Sequence, residues 1–187
     1  MKTIIHQLST SNVYIPNWGV KHLFIGTFNP YGGEKAPYYY ARPKNQTWKL
    51  LSNIFEEVFD PHNGESFFEL LKKHRIACVD LIHQVKVPND FVSEIEGRGY
   101  KDSAIINKQV ERKYNTQLIL QLIEKNPNII LYSTWGEGSR LASWRLEINK
   151  IPNLITLTSP SLAARVPQGS IKFDYMLNNW SEKINRQ

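Results

Sequence analysis

The stretch that decides the fold is VKHLFIGTFNP, which covers residues 20–30. Its first part is a short, mainly apolar run that ends at Gly26, as is typical of a buried strand. Its second part combines Gly26 with Asn29 and Pro30, residues that favour a tight turn and a close approach of the backbone to a ligand. A strand followed by such a turn fits a ligand-binding loop, but taken alone it is more often ordinary turn chemistry.

Three further apolar runs also predict buried strands. Together with the first run, the predicted strands cover residues 20–26, 76–81, 128–133 and 154–157. Helical patterns separate them. Strands that alternate with helices indicate a parallel sheet covered on both faces. The sequence therefore predicts an α/β fold, a three-layer α/β/α sandwich with a central, mainly parallel four-stranded sheet.

The predicted helices follow from apolar residues spaced three and four positions apart. One helix carries apolar residues from Trp48 to Val58, and another carries Leu118, Leu122 and Ile123 and ends near Asn126 because a proline follows. The remaining predicted helices cover residues 66–73, 138–147 and 171–184.

Composition narrows the class of protein. Among 187 residues there is one cysteine, Cys78, so no internal disulfide forms, and no Cys/His spacing suggests a metal site. We therefore expect no cofactor and a cytoplasmic location. We expect no membrane association, because no apolar run approaches the roughly 20 residues of a membrane span. The net charge of +6 favours polyanionic partners. Without repeats or linkers, we expect a single domain over residues 1–187 and a monomer.

Ligands of open parallel sheets bind at the carboxyl ends of the strands. In this sequence the loops at that edge are predicted at residues 27–45, 82–102, 134–138 and 158–169. The first of them leads into YYYARPKNQTW, residues 38–48, where three consecutive tyrosines cannot all point into the core from a loop. One exposed tyrosine could stack on a base, and Arg42 and Lys44 could neutralise phosphate. An aromatic corner packed under the loop is the alternative.

These two segments resemble the start of the uracil-DNA glycosylase superfamily. Gly-Thr-Phe at a strand end, followed by Tyr-Tyr-x-Arg-Pro-Lys-Asn-x-x-Trp, is similar to the hypoxanthine-DNA glycosylase branch, and the mismatch-specific branch keeps the same 19-position separation that links Gly26 to Asn45. Residues 157–162, LTSPSL, resemble the closing loop of the superfamily. The resemblance covers residues 20–180. It implies an enzyme that flips a deaminated base, uracil or hypoxanthine, out of DNA and hydrolyses its glycosidic bond.

The resemblance also assigns catalytic residues. Many family members carry Asp or Asn two positions after the strand glycine, but Phe28 occupies that position here and cannot polarise water. The resemblance then gives the catalytic role to Asn45, with Asn29 as the second candidate if the turn is displaced by one residue. An amide holds water by hydrogen bonds but is no strong base. Asn45 could instead, or also, cap the helix that follows.

Base-binding roles fall to Phe28, Tyr40 and Asp80. Tyr40 lies 14 positions after Gly26, where the family has an aromatic residue that stacks on the flipped base. Asp80, at the end of the second predicted strand, could read the edge of the base; alternatively it caps a loop or pairs with a lysine. His83 is read as a solvent-facing histidine.

The DNA-binding residues implied by the resemblance lie in two loops. They are Arg42, Lys44, Ser159, Ser161, Leu162 and Arg165. Ser159 replaces the histidine of the family's closing loop, which removes a cationic partner for the departing base anion. Leu162 lies where a side chain could enter the space left by a flipped base. Because Phe28 and Ser159 are both non-catalytic, a DNA-binding module that has lost catalysis is an alternative. A nucleotide-binding protein unrelated to DNA is a third hypothesis.

Overall fold

The structure is a computed structural model and describes residues 1–97, 100, 102–106, 109–136 and 144–186. The strands are β1 (Lys2–Ile5), β2 (His22–Gly26), β3 (Ile76–Asp80), β4 (Ile82–Val87), β5 (Glu111–Tyr114), β6 (Ile130–Ser133) and β7 (Ile155–Thr156). The α-helices are α1 (Thr47–Phe55), α2 (Gly64–Lys73), α3 (Val92–Ile95), α4 (Thr116–Lys125), α5 (Arg145–Ile148) and α6 (Lys172–Asn185). Short 3-10 helices cover Asn89–Phe91 and Asp102–Ile106.

The central sheet has four strands in the order β3-β2-β6-β7. Each neighbouring pair is parallel, so the predicted α/β class and its parallel four-stranded sheet are confirmed. β2 is buried along its whole length because it lies between β3 and β6 and is covered on both faces. The observed strands are shorter than predicted, and the shortest, β7, has two residues.

Two buried clusters cover the two faces of this sheet. Successive side chains of a strand point to opposite faces, and accordingly Leu23 and Ile25 belong to one cluster while Phe24 belongs to the other. Helices α1, α2 and α6 pack in the cluster of Phe24 through residues such as Leu51, Leu71 and Trp180. Helix α4 and strands β1 and β4 pack in the opposite cluster.

The antiparallel sheet formed by β1, β4 and β5 was not predicted. Its order is β1-β4-β5, and β4 occupies part of the segment predicted as a loop over residues 82–102. The loop prediction is wrong there. Polar residues interrupt the apolar ones in β4, so its sequence, IHQVKV, lacks the apolar run by which the other strands were predicted. The outer layer on this side of the central sheet therefore contains strands as well as helix.

The predicted helix ends were accurate for some helices only. Helix α4 ends before Asn126, whose side-chain amide donates to the carbonyl of Leu122, as the following proline suggested. Helix α1 ends at Phe55 because Glu56 adopts a left-handed conformation, with φ of 56°. Val58, predicted to lie on its buried face, is 81% exposed. Residues 138–143 of the predicted helix over 138–147 lie outside the described residues. Within the described ranges, no helix has the length and apolar character of a membrane span.

At the amino end of β2, burial lowers the pKa of His22 from about 6.5 to about 4, and the nearby positive charges of Lys21 and Arg75 add to this effect. Its Nδ1 lies 3.2 Å from the hydroxyl of Tyr132, inside the core. The folded state thus holds His22 neutral, while the unfolded chain binds a proton below pH 6.5. Stability from this group is present above pH 6.5 and is lost as the pH falls towards 4.

We expect the His22→Gln variant to lose this part of the pH dependence, which amounts to at most about 3 kcal/mol between pH 7 and pH 4. Urea unfolding at several pH values measures it. The exposed His62→Gln variant serves as the control and should keep the wild-type slope. Equal slopes in the wild type and in the His22 variant would contradict the assignment.

Candidate functional site

The loops that follow β2, β6 and β7 meet at the carboxyl edge of the central sheet. The hydroxyls of Tyr40 and Thr134, from the loops after β2 and β6, are 3.2 Å apart. The backbone of Asn45 forms an antiparallel bridge with Ser161 of the loop after β7. This edge is the one at which open α/β sheets bind ligands. The predicted location of the candidate site is therefore the place where these loops come together.

Gly26, Asp80 and Tyr40 form the floor of the candidate site. Gly26 and Asp80 are register partners at the ends of β2 and β3. A Cβ atom on Gly26 would lie 2.8 Å from the Tyr40 hydroxyl oxygen and would overlap Oδ1 of Asp80. A side chain at position 26 would thus displace both neighbours. Position 26 therefore needs a glycine because Asp80 and Tyr40 pack closely against it, in addition to any role of Gly26 in the turn.

The three consecutive tyrosines divide between core and site. Tyr38 and Tyr39 are buried, and the Tyr39 hydroxyl donates to the carbonyl of Tyr14. Tyr40 is half-buried and has a positive φ of 57°, an unusual backbone conformation for a large side chain. This turn directs its hydroxyl to Gly26 and Thr134, and burial raises the pKa of Tyr40 well above 10. Tyr40 thus remains a neutral phenol at physiological pH.

Asp80 is buried and pairs with a residue that the sequence did not indicate. Its Oδ2 lies 2.8 Å from Nε2 of His6, which is itself fully buried. The partner is therefore a histidine from the amino-terminal region and not the lysine considered as an alternative. The sequence around His6 contains no recognisable motif. His6 reaches Asp80 because it directly follows the short strand β1. Of the metal-ligating side chains in the part of the chain that the structure describes, no three converge on one point.

A second histidine, His83, also differs from its prediction. It is half-buried, and its Nδ1 lies 3.0 Å from the Tyr14 hydroxyl. Burial lowers its pKa below the ordinary value, and His6 and Lys113 add to the effect. The reading as a solvent-facing histidine is wrong, because Tyr14 and the antiparallel sheet partly enclose the ring.

The two candidate catalytic amides have different surroundings. Asn45 is half-buried, and its Oδ1 accepts the backbone N–H of Thr47 at 2.9 Å, which forms a turn just before α1. Asn29 is 8% exposed, and its Oδ1 accepts from Nε2 of Gln7. The N-cap role considered for Asn45 is wrong, because the N-cap position of α1 is Gln46, which makes no side-chain cap hydrogen bond. Asn45 remains more accessible to solvent than Asn29, and the catalytic role of either remains a prediction.

Phe28 and Arg42 stabilise the loop after β2. Phe28 is buried with its ring edge against the ring of His6, with the centroids 6.1 Å apart. The guanidinium of Arg42 donates to the carbonyl of Pro30 at 2.6 Å and lies over the ring of Tyr100 at 4.8 Å. Both side chains therefore have structural contacts, and their predicted contacts with base and phosphate remain predictions.

The closing loop, residues 158–165, is joined to the tyrosine-containing loop by backbone hydrogen bonds. Leu162 donates to the carbonyl of Lys44, and Gln46 donates to the carbonyl of Pro160. The Ser161 hydroxyl accepts the N–H of Ala163, which tightens the turn.

The remaining predicted DNA-binding residues lie on the outside of these two joined loops. Leu162 is 50% exposed, and Lys44 and Arg165 are exposed as well, whereas Ser159 is half-buried. Ser161 therefore lies beside Asn45 and Leu162 beside Lys44, while the side chain of Arg42 is bound to the carbonyl of Pro30.

We expect Gly26→Ala to destabilise the protein by about 1–3 kcal/mol, because the new methyl group overlaps Asp80 and Tyr40. Urea unfolding measures the loss. Gly19→Ala is the matched control, since its Cβ would meet only Arg75 at an ordinary 3.8 Å, and its stability should change by less than about 0.5 kcal/mol. Equal stabilities of the two variants would show that the floor is not closely packed.

The chain matches no known family model and no curated protein sequence. It does match solved structures, among them the solution NMR structure of a candidate uracil DNA glycosylase from Methanosarcina acetivorans. The two chains are 16% identical, and the TM-score is 0.51 over 90% of this chain and 95% of the other. The likeness extends over nearly the whole of both chains. At this level of identity it shows that the two proteins share a fold.

Proposed function

We propose that this protein is a monofunctional DNA glycosylase, which flips a deaminated base out of DNA and hydrolyses its N-glycosidic bond. The observation that carries the proposal is the arrangement at the carboxyl edge of the parallel sheet: Asp80 and Tyr40 meet over Gly26, and the loop that carries Tyr40 pairs through Asn45 with Ser161. The fold shared with a candidate uracil DNA glycosylase supports it. Uracil and hypoxanthine are the bases we propose as substrates.

Cleavage of the glycosidic bond separates an oxocarbenium-like sugar from a base anion. A site for this reaction has to hold a water molecule near the sugar and to stabilise the charge that develops on the base. In our proposal Asn45 orients this water through its amide group. Its Oδ1 already accepts one hydrogen bond from Thr47, which leaves its second lone pair and the amide N–H groups available. An amide is a weak base, so we expect slow turnover.

Base recognition falls to Tyr40 and Asp80, with Phe28 as an apolar wall beneath them. The Tyr40 ring is half-buried and held by its hydroxyl, so it offers a fixed aromatic surface against which a flipped base can stack. Asp80 supplies a buried oxygen beside Gly26, where no side chain separates it from the backbone. Phe28 is buried, and its ring packs edge-on against His6, the hydrogen-bond partner of Asp80.

The strand of DNA would run over the joined loops. Lys44 and Arg165 are exposed there, and half of the Leu162 surface is in solvent. Two more lysines are near, because Nζ of Lys172 donates to the carbonyl of Leu162 and Lys49 lies over the ring of Phe173. Such a surface neutralises phosphates, and its leucine could fill the space vacated by the flipped base.

The second candidate function is a DNA-binding module of the same fold without catalysis. One observation favours it specifically: the carbonyl groups of both candidate amides, Asn45 and Asn29, already accept hydrogen bonds within the protein. Phe28 at the usual catalytic position and Ser159 in the closing loop agree with it. The two functions differ in turnover and not in DNA binding.

The test is incubation with labelled duplexes that carry uracil, hypoxanthine or xanthine, followed by alkaline cleavage at abasic sites. We expect Asn45→Ser to lower the single-turnover rate about 10²-fold, because it removes the amide. The serine hydroxyl can still accept the backbone N–H of Thr47, so we expect the fold to be kept, and thermal unfolding checks this. Asn29→Ala tests the second amide, and Asn53→Ala on the exposed face of α1 is the control.

Each outcome separates the hypotheses. Loss of cleavage in the Asn45 variant alone identifies that amide, and loss in the Asn29 variant alone transfers the role to Asn29. Cleavage by neither the wild type nor the variants, together with salt-sensitive duplex binding, contradicts the enzyme and supports the binding module.

A further inference from the structure

His6 is enclosed at the boundary between the two sheets. It follows β1, has no exposed surface, and its backbone N–H donates to the carbonyl of His83 on β4. The rings of Tyr14 and Tyr39 pack against it with centroid distances of 5.3 Å each. The antiparallel sheet thus carries the ring of His6 to the carboxyl end of β3, where Asp80 lies.

The hydrogen bonds of His6 determine which ring nitrogen carries the hydrogen. Its Nδ1 lies 3.1 Å from the backbone nitrogen of Leu8, and a backbone N–H can only donate. Nδ1 is therefore the acceptor, and the hydrogen is on Nε2, which points at Oδ2 of Asp80. His6 acts as a fixed N–H donor to this carboxyl group.

With Oδ2 engaged, the other oxygen of Asp80 faces the candidate site. Oδ1 lies directly over Gly26 and shares this space with the Tyr40 hydroxyl. The backbone carbonyl of Asp80 accepts from Nδ2 of Asn115 at 2.7 Å, which fixes the main chain below. The orientation of the carboxyl plane is thus set from both sides, and Oδ1 is left as a hydrogen-bond acceptor.

We propose that His6 is a positioning residue that orients Asp80, so that Oδ1 accepts a hydrogen bond from a ring N–H of the bound base. The inference rests on the proposed glycosylase function and adds the residue through which the site would prefer deaminated bases. Deamination converts the ring nitrogen acceptor of cytosine or adenine into an N–H donor, as in uracil and hypoxanthine. A fixed acceptor at Asp80 favours a base with a ring N–H. The ring nitrogen of cytosine or adenine carries a lone pair instead, so that nitrogen and Oδ1 of Asp80 would both be left without a hydrogen-bond partner.

Two substitutions of His6 separate a donor from a merely space-filling residue. Glutamine at position 6 keeps an N–H near the place of Nε2, whereas leucine fills the same apolar surroundings without any donor. We expect His6→Leu to lower the single-turnover rate on a uracil duplex about 10²-fold, and His6→Gln to restore most of that rate. The dissociation constant for duplex DNA should change in neither variant, because His6 is buried away from the DNA surface. The exposed His62→Leu variant is the control.

A substrate with N3-methyluracil tests the proposed contact itself, since the methyl group replaces the ring N–H. The wild type should excise uracil faster than N3-methyluracil, and His6→Leu should reduce this preference. In the folded wild type, the nitrogen-15 NMR signals of the His6 ring should show a protonated Nε2 and an unprotonated Nδ1. This readout needs no variant and no activity.

The outcomes distinguish the inference from the function on which it rests. A wild type that excises no base contradicts the proposed function and the inference with it. An active wild type with a His6→Leu variant of equal rate and equal base preference contradicts the inference alone. A protonated Nδ1 would likewise overturn it, because the hydrogen bond to Asp80 would then have the wrong direction.

Discussion

The parallel register of β2 with β3 and β6 is the constraint on which the candidate site depends. It places Gly26 opposite Asp80 and lets the chain of β6 continue into Thr134, whose hydroxyl approaches Tyr40. Because the three strands run in the same direction, the loops that follow them meet at one edge. A shift of one residue in this register would turn each of these side chains to the opposite face.

The floor of the site is held by polar groups that satisfy one another inside the core. Asp80 accepts from His6, and Asn115 donates both to the Asp80 carbonyl and to the Tyr14 hydroxyl. Burial raises the pKa of Tyr14 to about 12, so its hydroxyl keeps the hydrogen that it can offer to His83. Networks of this kind are strong when every member is paired and costly when one member is removed. They explain how a carboxyl group is kept in an interior that is otherwise aromatic.

The sequence was sufficient for the features that depend on local patterns. Apolar runs predicted the four parallel strands, and the order of strands and helices then placed Tyr40 and Asp80 at one edge. The antiparallel sheet, which was not predicted, shows the limit of this reasoning. Its strands β1 and β4 are about 80 residues apart in the chain, and neither has a clear alternation of apolar and polar residues. His6 could not be found for the same reason, because its role depends on that pairing. The contacts of Arg42 with Pro30 and Tyr100 also depend on how the loops fold.

The measurement that tests the central claim most directly is a map of amide NMR shifts on binding DNA. The duplex should carry one uracil nucleotide with a fluorine at C2′, which destabilises the oxocarbenium-like state and slows cleavage. We expect the largest shifts at Gly26, Asp80, Thr134 and Ser161, and weaker shifts there with an undamaged duplex. Equal shifts with both duplexes, or shifts confined to the antiparallel sheet with none at this edge, would contradict the claim that this edge receives a flipped base.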